Sequence, residues 1–356
     1  MWKIKIRIFT KGVIFKAIQR VQNQLFDCRW FKWSPWKNWL KQGCCWLLFR
    51  CGITAFFRRY YQRRRGIILC YHHIRGHLFE QHIRFLKKHY RLVPLSELVS
   101  GLDRKNLLPF SLSITFDDGY RELYTELHSV LLRYQVPFTL FLVVNYLKNP
   151  LSAWWEDLQR AIEKTTLQKY ELNGHIYSLA SEHQRRVFYK KLLVNLKQLP
   201  EHQKRQVVAK IITDCAQDVD ISKAPLFLPL SEASGLLNPR VLLGSHTTSH
   251  PILTKIPLAE AEQEIAQSKS WLETTFGRPV EFFSYPNGDA GDFNPRIIQS
   301  VQQSGYRAAV TLIQGTNKVG ADVFQLKRII IGEDNSVPVL ATKLSGLWGL
   351  LYGGYR

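Results

Sequence analysis

Seven short apolar runs constrain the fold of this 356-residue chain more than any other feature: residues 67 to 72, 111 to 116, 137 to 144, 240 to 244, 280 to 285, 306 to 311 and 325 to 331. Each has the length of a strand, and helical patterns separate most of them, over about 78 to 90, 122 to 134, 258 to 276 and 294 to 304. Such an alternation predicts an α/β protein, a distorted (β/α)7 barrel one strand short of the eight-stranded form. Pro94, Pro137, Pro251, Pro279 and Pro286 fall at element edges, as their missing N–H requires, and Gly305 stops the helix over 294 to 304.

Two motifs about 130 residues apart carry the chemistry. The first, Thr115-Phe116-Asp117-Asp118-Gly119, ends an apolar run, where parallel-barrel enzymes keep their reactive groups. The second is His246-Thr247-Thr248-Ser249-His250-Pro251. Histidines at i and i+4 on one side of a helical turn can reach a single ion, with a carboxylate from the distant strand end as an oxygen ligand. Three ligands leave a position open for water, whose pKa a divalent ion lowers to about 7. The other carboxylate is then free to take the proton. Neither motif is specific alone. The chain holds 11 histidines and a second i,i+4 pair, His73 and His77, and Asp-Asp-Gly after a strand is commonly only a turn.

In this order and separation, the motifs resemble the polysaccharide deacetylases of the NodB-homology type, carbohydrate esterase family 4. The resemblance covers about residues 66 to 336 and implies a NodB-type barrel. It also implies Asp117 as catalytic base and Asp118, His246 and His250 as ligands of a divalent ion, Zn2+ foremost, with Co2+, Ni2+ or Mn2+ as substitutes. A third segment, from Phe282 to Asp289, resembles the family's Pro-containing loop, which gives a backbone N–H to an oxyanion hole and here places Tyr285, Pro286 and Asn287 at the substrate.

Two positions depart from the family pattern. Ser284 stands where an Arg that orients the catalytic Asp is usual, and no histidine follows His250, although the family's last motif usually supplies a general acid. An amide leaving group must be protonated, so an acid is still required. The run Gly66-Ile67-Ile68-Leu69-Cys70-Tyr71-His72-His73-Ile74 would deliver His72, or by the opposite pleat His73, to the rim that holds Asp117. Its Tyr-His-x-Ile form resembles the branch of the family acting on poly-N-acetylglucosamine and related exopolysaccharides, where an N-terminal His takes the acid's place. Arg328, in the last run, is a candidate substrate contact.

The deacetylase-like domain is expected over residues 66 to 338, with a helical insertion from 149 to 229 and an amphipathic tail from 339 to 356. Trp154 and Trp155, in the segment that opens the insertion, could stack on sugar rings or anchor a helix to the core. Residues 1 to 65 form a distinct arm with 16 Lys and Arg against one acid, Asp27, a net of +15 out of +21 for the whole chain. The arm also holds six of ten tryptophans and four of six cysteines, none in a framework spacing. Aromatic rings at headgroup level and cations on anionic lipid suit such a segment to a membrane interface. Its most apolar part, residues 44 to 57, would span about 21 Å as a helix, short of a hydrocarbon core of roughly 30 Å. The arm is therefore expected to lie on a membrane, with the cytoplasmic face favoured by its positive charge and the extracytoplasmic side also open.

The function expected from these residues is metal-dependent removal of N-acetyl groups from an amino sugar in a polysaccharide or glycolipid, with acetate released and no specific nucleic acid bound. The alternatives are an inactive glycan- or partner-binding module, and a basic protein that binds membrane or nucleic acid through its arm.

Overall fold

The computed structural model describes residues 35–150, 153–172, 174–216 and 225–352. The strands are β1 (Ile67–Tyr71), β2 (Arg91–Leu92), β3 (Ser111–Phe116), β4 (Phe138–Leu142), β5 (Lys169–Leu172), β6 (His175–Ser178), β7 (Val241–Ser245), β8 (Val280–Ser284), β9 (Ala308–Gln314) and β10 (Leu326–Ile331). Seven of them, in the order β1-β10-β9-β8-β7-β4-β3, run parallel, and pairing of β1 with both β10 and β3 closes the ring. These seven correspond to the seven apolar runs. The two-residue β2 is hydrogen-bonded to β3 and was not legible, being too short to carry a pattern.

Alternation sorts the strand residues into two layers. Ile67, Leu69 and Tyr71 pack outward with Phe79 and Ile83 of the helix Gly76–His89, whereas Ile68 packs inward with Phe141, Phe282, Val310 and Leu326. Phe141 fills the barrel so tightly that a Cβ on Gly244 of β7 would lie 2.3 Å from its ring. Only glycine fits there.

Registers bring the chemistry-bearing strands to a common rim. Tyr71 stands opposite Phe116, Leu142 opposite Ser245, and Ser245 opposite Phe283, so the next residues along each strand emerge side by side.

The insertion contains the three helices Trp154–Lys164, Glu182–Leu196 and Glu201–Cys215 around a core of its own, with Leu158, Phe188, Leu192 and Ile211 buried. It also carries the antiparallel hairpin β5–β6, which the helical expectation omitted. Near the tail expected from residue 339, the described residues form two helices, Val337–Leu344 and Leu347–Tyr352. Residues 44 to 57, read as one apolar stretch, divide between the helices Pro35–Arg50 and Ile53–Tyr61 at Gly52, whose φ of 75° breaks the run.

Helix Pro35–Arg50 lies along the C-terminal helix Val337–Leu344: Gln42 donates to Asp334 O, and Ser336 Oγ donates to Gln42 Oε1 at 2.7 Å. Beneath this contact sits His82, fully buried, with Nε2 at 2.6 Å from Asn335 O and Nδ1 at 3.3 Å from Tyr71 Oη. Burial pushes its pKa down to about 4, and the nearby Lys343 charge acts in the same direction. A histidine depressed in the folded state takes up its proton in the unfolded chain first, near pH 6.5, so stability is lost as pH falls from there to about 4. Denaturant titrations across that range should lose about 2 to 3 kcal/mol, and the slope should flatten in His82→Asn.

Candidate active site

Asp117 is the first residue past β3, and its N–H lies 3.4 Å from Tyr71 O on the neighbouring strand. Arg328 of β10 reaches across the barrel interior and donates Nη1 to Asp117 Oδ1 at 2.7 Å and Nη2 to Oδ2 at 2.6 Å. Ser284 Oγ, from β8, donates to the same Oδ2 at 3.2 Å and accepts from Arg328 Nη2 at 3.0 Å. The guanidinium is completed by Thr311 O at 2.8 Å and Thr115 Oγ1 at 3.2 Å. Burial would raise the Asp117 pKa, but the guanidinium outweighs it and holds the carboxyl well below the usual carboxylate range. Arg328 is correspondingly held in its charged form by Asp117 against its own burial.

This arrangement corrects one expectation and fills a gap. Arg328, read as a substrate contact, has no solvent exposure. It occupies the orienting position for Asp117 that the Ser at 284 left open. The sequence held a signal: in Leu326-Lys327-Arg328-Ile329-Ile330, residue 328 shares the pleat face of Leu326, and Leu326 packs in the barrel interior. A charge on that face requires a buried partner.

Asp118, His246 and His250 come together beside this pair, with one ligand atom from each inside a 4.8 Å cluster. Asp118 takes a left-handed φ of 66°. Gly119 follows with φ 78°, and any Cβ there would meet Leu142 at 2.7 Å. Asp118 Oδ1 lies 3.6 Å from His246 Nε2 and 3.4 Å from His250 Nε2.

The two histidines reach this point from a loop, not from the helical turn that their spacing indicated. Thr247 and His250 have φ of 69° and 61°, and the loop is pinned by Glu264, which accepts Thr248 N–H and Ser249 N–H at 2.8 Å each and Ser249 Oγ at 2.6 Å. Glu264 comes from the helix Leu258–Phe276 and carried no mark in the sequence.

The donor set fits a divalent cation. Asp118 Oδ1 is buried with no hydrogen-bond donor, an arrangement that costs free energy unless a cation completes it. Burial pushes the Asp118 pKa up to about 6, the sign of a carboxylate lacking a partner. His246 Nδ1 lies 2.6 Å from Ser284 O, which fixes that nitrogen as the N–H and leaves Nε2 as a lone-pair donor. Burial also lowers the pKa values of both histidines, favouring the neutral ligand form.

The pleat of β1 decides between the two N-terminal histidines. Cys70 and His72 share the inward face, and Cys70 Sγ, His72 and Asp117 lie within 4.8 Å of one another. Sγ stands 3.7 Å from His72 Nδ1. His73 turns away to Glu122 Oε2 at 3.1 Å and lies against the Tyr120 ring. Burial lowers the His72 pKa, with the Asp117 and Asp118 charges opposing it.

The remaining candidates divide. Tyr285 is fully buried, stacked on Phe293 with its hydroxyl on Phe324 O, so its side chain belongs to the core and not to a substrate surface. Pro286 is buried too, and Asn287, at φ 62°, is held by Asp292 and by Lys197 from the insertion. Trp155 closes over the site, its ring 5.3 Å from that of His250 and its Nε1 donating to Tyr120 Oη at 3.3 Å. Trp154 packs into the insertion's own core beneath Lys204, an anchoring role.

Residues 104–210 and 231–309 match the family model described as Polysaccharide deacetylase, more than half of the chain. The chain belongs to the polysaccharide deacetylase family. No curated protein matches this deacetylase in sequence. Among solved structures, the deacetylase PplD of Streptococcus pyogenes, in complex with acetate, is 15% identical with a TM-score of 0.53, over 79% of this chain and 98% of that one. IcaB from Ammonifex degensii is 16% identical with a TM-score of 0.52, over 79% and 97%. A de-N-acetylase from Aggregatibacter actinomycetemcomitans gives 16% and 0.52, over 78% and 99%. At these identities the likeness is one of fold.

Removal of the guanidinium tests the arrangement around Asp117. Arg328→Met should lower stability by about 3 to 5 kcal/mol, because it strands a buried carboxylate. Adding Asp117→Asn should recover most of that loss. Equilibrium unfolding in urea reads both.

Proposed function

We propose that this enzyme hydrolyses the acetamide of an N-acetylated amino sugar within a glycan, of the poly-N-acetylglucosamine type, and releases acetate. One observation carries the reading: a buried Asp-His-His donor triad stands directly beside an ionised carboxylate whose both oxygens are held by Arg328. Asp118, His246 and His250 would hold the divalent ion, zinc or a similar metal. When bound there, it supplies Lewis-acid polarisation of the acetamide carbonyl and lowers the pKa of a water to about 7.

Asp117 takes the proton of the attacking water. The Arg328 guanidinium keeps Asp117 in the ionised form that a base requires. The bidentate pairing keeps the carboxylate from rotating and leaves Oδ2 4.0 Å from His246 Nε2, beside the triad. A backbone N–H of the loop through Tyr285, Pro286 and Asn287 meets the carbonyl oxygen as charge develops on it. His72, on the same rim, gives a proton to the departing amine nitrogen as the C–N bond breaks. Trp155 and Tyr120 wall the site on the side of the insertion, where a sugar ring can lie against them.

Incubation of the full chain with zinc or cobalt and a panel of N-acetylglucosamine oligomers should release acetate. A chelator should abolish release and added metal should restore it. Asp117→Asn should retain the metal while turnover falls about a hundredfold or more. Undiminished acetate release by that variant would remove Asp117 from the role of base. Metal-bound, folded protein that releases acetate from none of the panel would overturn the reading itself.

A further inference from the structure

We propose that residues 46–61, the end of helix Pro35–Arg50 and the helix Ile53–Tyr61, form a docking surface for an anionic phospholipid membrane, with the catalytic rim turned away from the bilayer. Six of the fifteen exposed large hydrophobic side chains among the described residues lie within a single 16-residue stretch, Trp46, Leu47, Ile53, Phe56, Tyr60 and Tyr61. Ile53, Phe56 and Tyr60 recur at spacings of three and four and share one helix face. Phe56 and Tyr60 are 54% and 67% exposed with ring centroids 4.5 Å apart, so the apolar surface is continuous.

The opposite faces are fixed to the barrel. Thr54 and Cys45 are buried, Arg58 Nη1 donates to His89 O at 3.1 Å, and Phe49 lies against Phe85. The aromatic face is therefore held outward by its anchors and presented as a preformed surface.

Charge identifies the occupant. Residues 35–65 contain eight Lys and Arg and no acid. Arg58, Arg59 and Lys88 join Phe56, Tyr60 and Phe110 around a groove of about 360 Å³. Exposed aromatics ringed by guanidinium groups match the interface of an anionic bilayer, where rings enter the headgroup layer and cations contact lipid phosphate. Residues 1–34 carry eight basic residues and one acidic one, the same sign of charge as residues 35–65. Among the described residues no helix is long and apolar enough to cross a membrane.

The fold sets the orientation. Helix Gly76–His89 leaves the end of β1 and returns to the start of β2, and Phe110, just before β3, donates its N–H to Arg63 O. Both contacts place the apolar face at the N-terminal ends of the strands, whereas Asp117 and His246 follow their C-terminal ends. Taken with the proposed activity, this orientation favours a glycan reached from the aqueous side over a sugar carried on a membrane lipid.

Co-sedimentation of the full chain with vesicles tests the surface without reference to catalysis. Vesicles with about 30 mol per cent phosphatidylglycerol should bind the protein at least ~10-fold more tightly than pure phosphatidylcholine, and raised salt should weaken that binding. Phe56→Ser with Tyr60→Ser should reduce it about tenfold, whereas Leu132→Ser, an exposed apolar residue elsewhere, should not, and acetate release from a soluble oligomer should be unchanged in both. Wild-type vesicle binding by the double variant would overturn the proposal. So would equal binding to neutral vesicles, preferential binding to duplex DNA, or a dimer in sedimentation velocity that the double variant dissolves. Failure of acetate release alone would count against the activity and leave the surface standing.

Discussion

A guanidinium without solvent exposure can persist at the centre of a barrel only where each of its donors meets an acceptor, and Arg328 meets Asp117 twice, Thr115, Ser284 and Thr311. These partners come from β3, β8, β9 and the residue past β3, so one side chain cross-links strands distant in sequence. Removing two charges from water is costly, and the pair recovers that cost only through near-ideal bidentate geometry and full hydrogen bonding. The geometry in turn demands that the barrel close with β10 against β1, because a shift of one residue would turn Arg328 outward. Closure of the fold and ionisation of Asp117 are thus one requirement.

Ser284 links this pair to the neighbouring triad. Its hydroxyl donates to Asp117, while its carbonyl oxygen stands 2.6 Å from His246 Nδ1 and fixes the ring's tautomer. A residue whose side chain replaces an expected arginine therefore serves both halves of the site. The histidine loop contributes conformations that only surrounding contacts sustain: two non-glycine residues have positive φ, and Glu264 takes up the loop's N–H groups. Glycines are needed where bulk is excluded, at Gly244 under the Phe141 ring and Gly119 against Leu142.

The insertion sits at the C-terminal ends of the strands, whereas the helix Ile53–Tyr61 sits at their N-terminal ends. The insertion joins the rim through Trp155, packed over His250, and through Lys197 on Asn287. The helices of the N-terminal arm pack against Val337–Leu344 and the end of Gly76–His89. The first shapes access to the chemistry, and the second leaves an aromatic, cationic face toward solvent.

Much of this was legible in the chain because local pattern and pleat are properties of sequence. Seven apolar runs became the seven barrel strands, and the helix expected over 258 to 276 is Leu258–Phe276. The resemblance of TFDDG and HTTSHP to a known family named the residues that the structure gathers, Asp117, Asp118, His246 and His250. What escaped depended on contacts distant in sequence. The i,i+4 histidines suggested a helix because spacing carries no information about Glu264. Arg328 was read as a substrate contact because its partner lies 211 positions away. The choice between His72 and His73 rested on which pleat face meets the interior, and Tyr285 was read as a loop residue when its ring fills the core. Sequence by itself determined the seven barrel strands, which follow from periodicity, and the motifs whose resemblance to a family named the donors. Only the tertiary structure decided which charges pair, which histidine turns inward and which face of the arm remains uncovered, because burial and register are settled when distant strands close into one barrel.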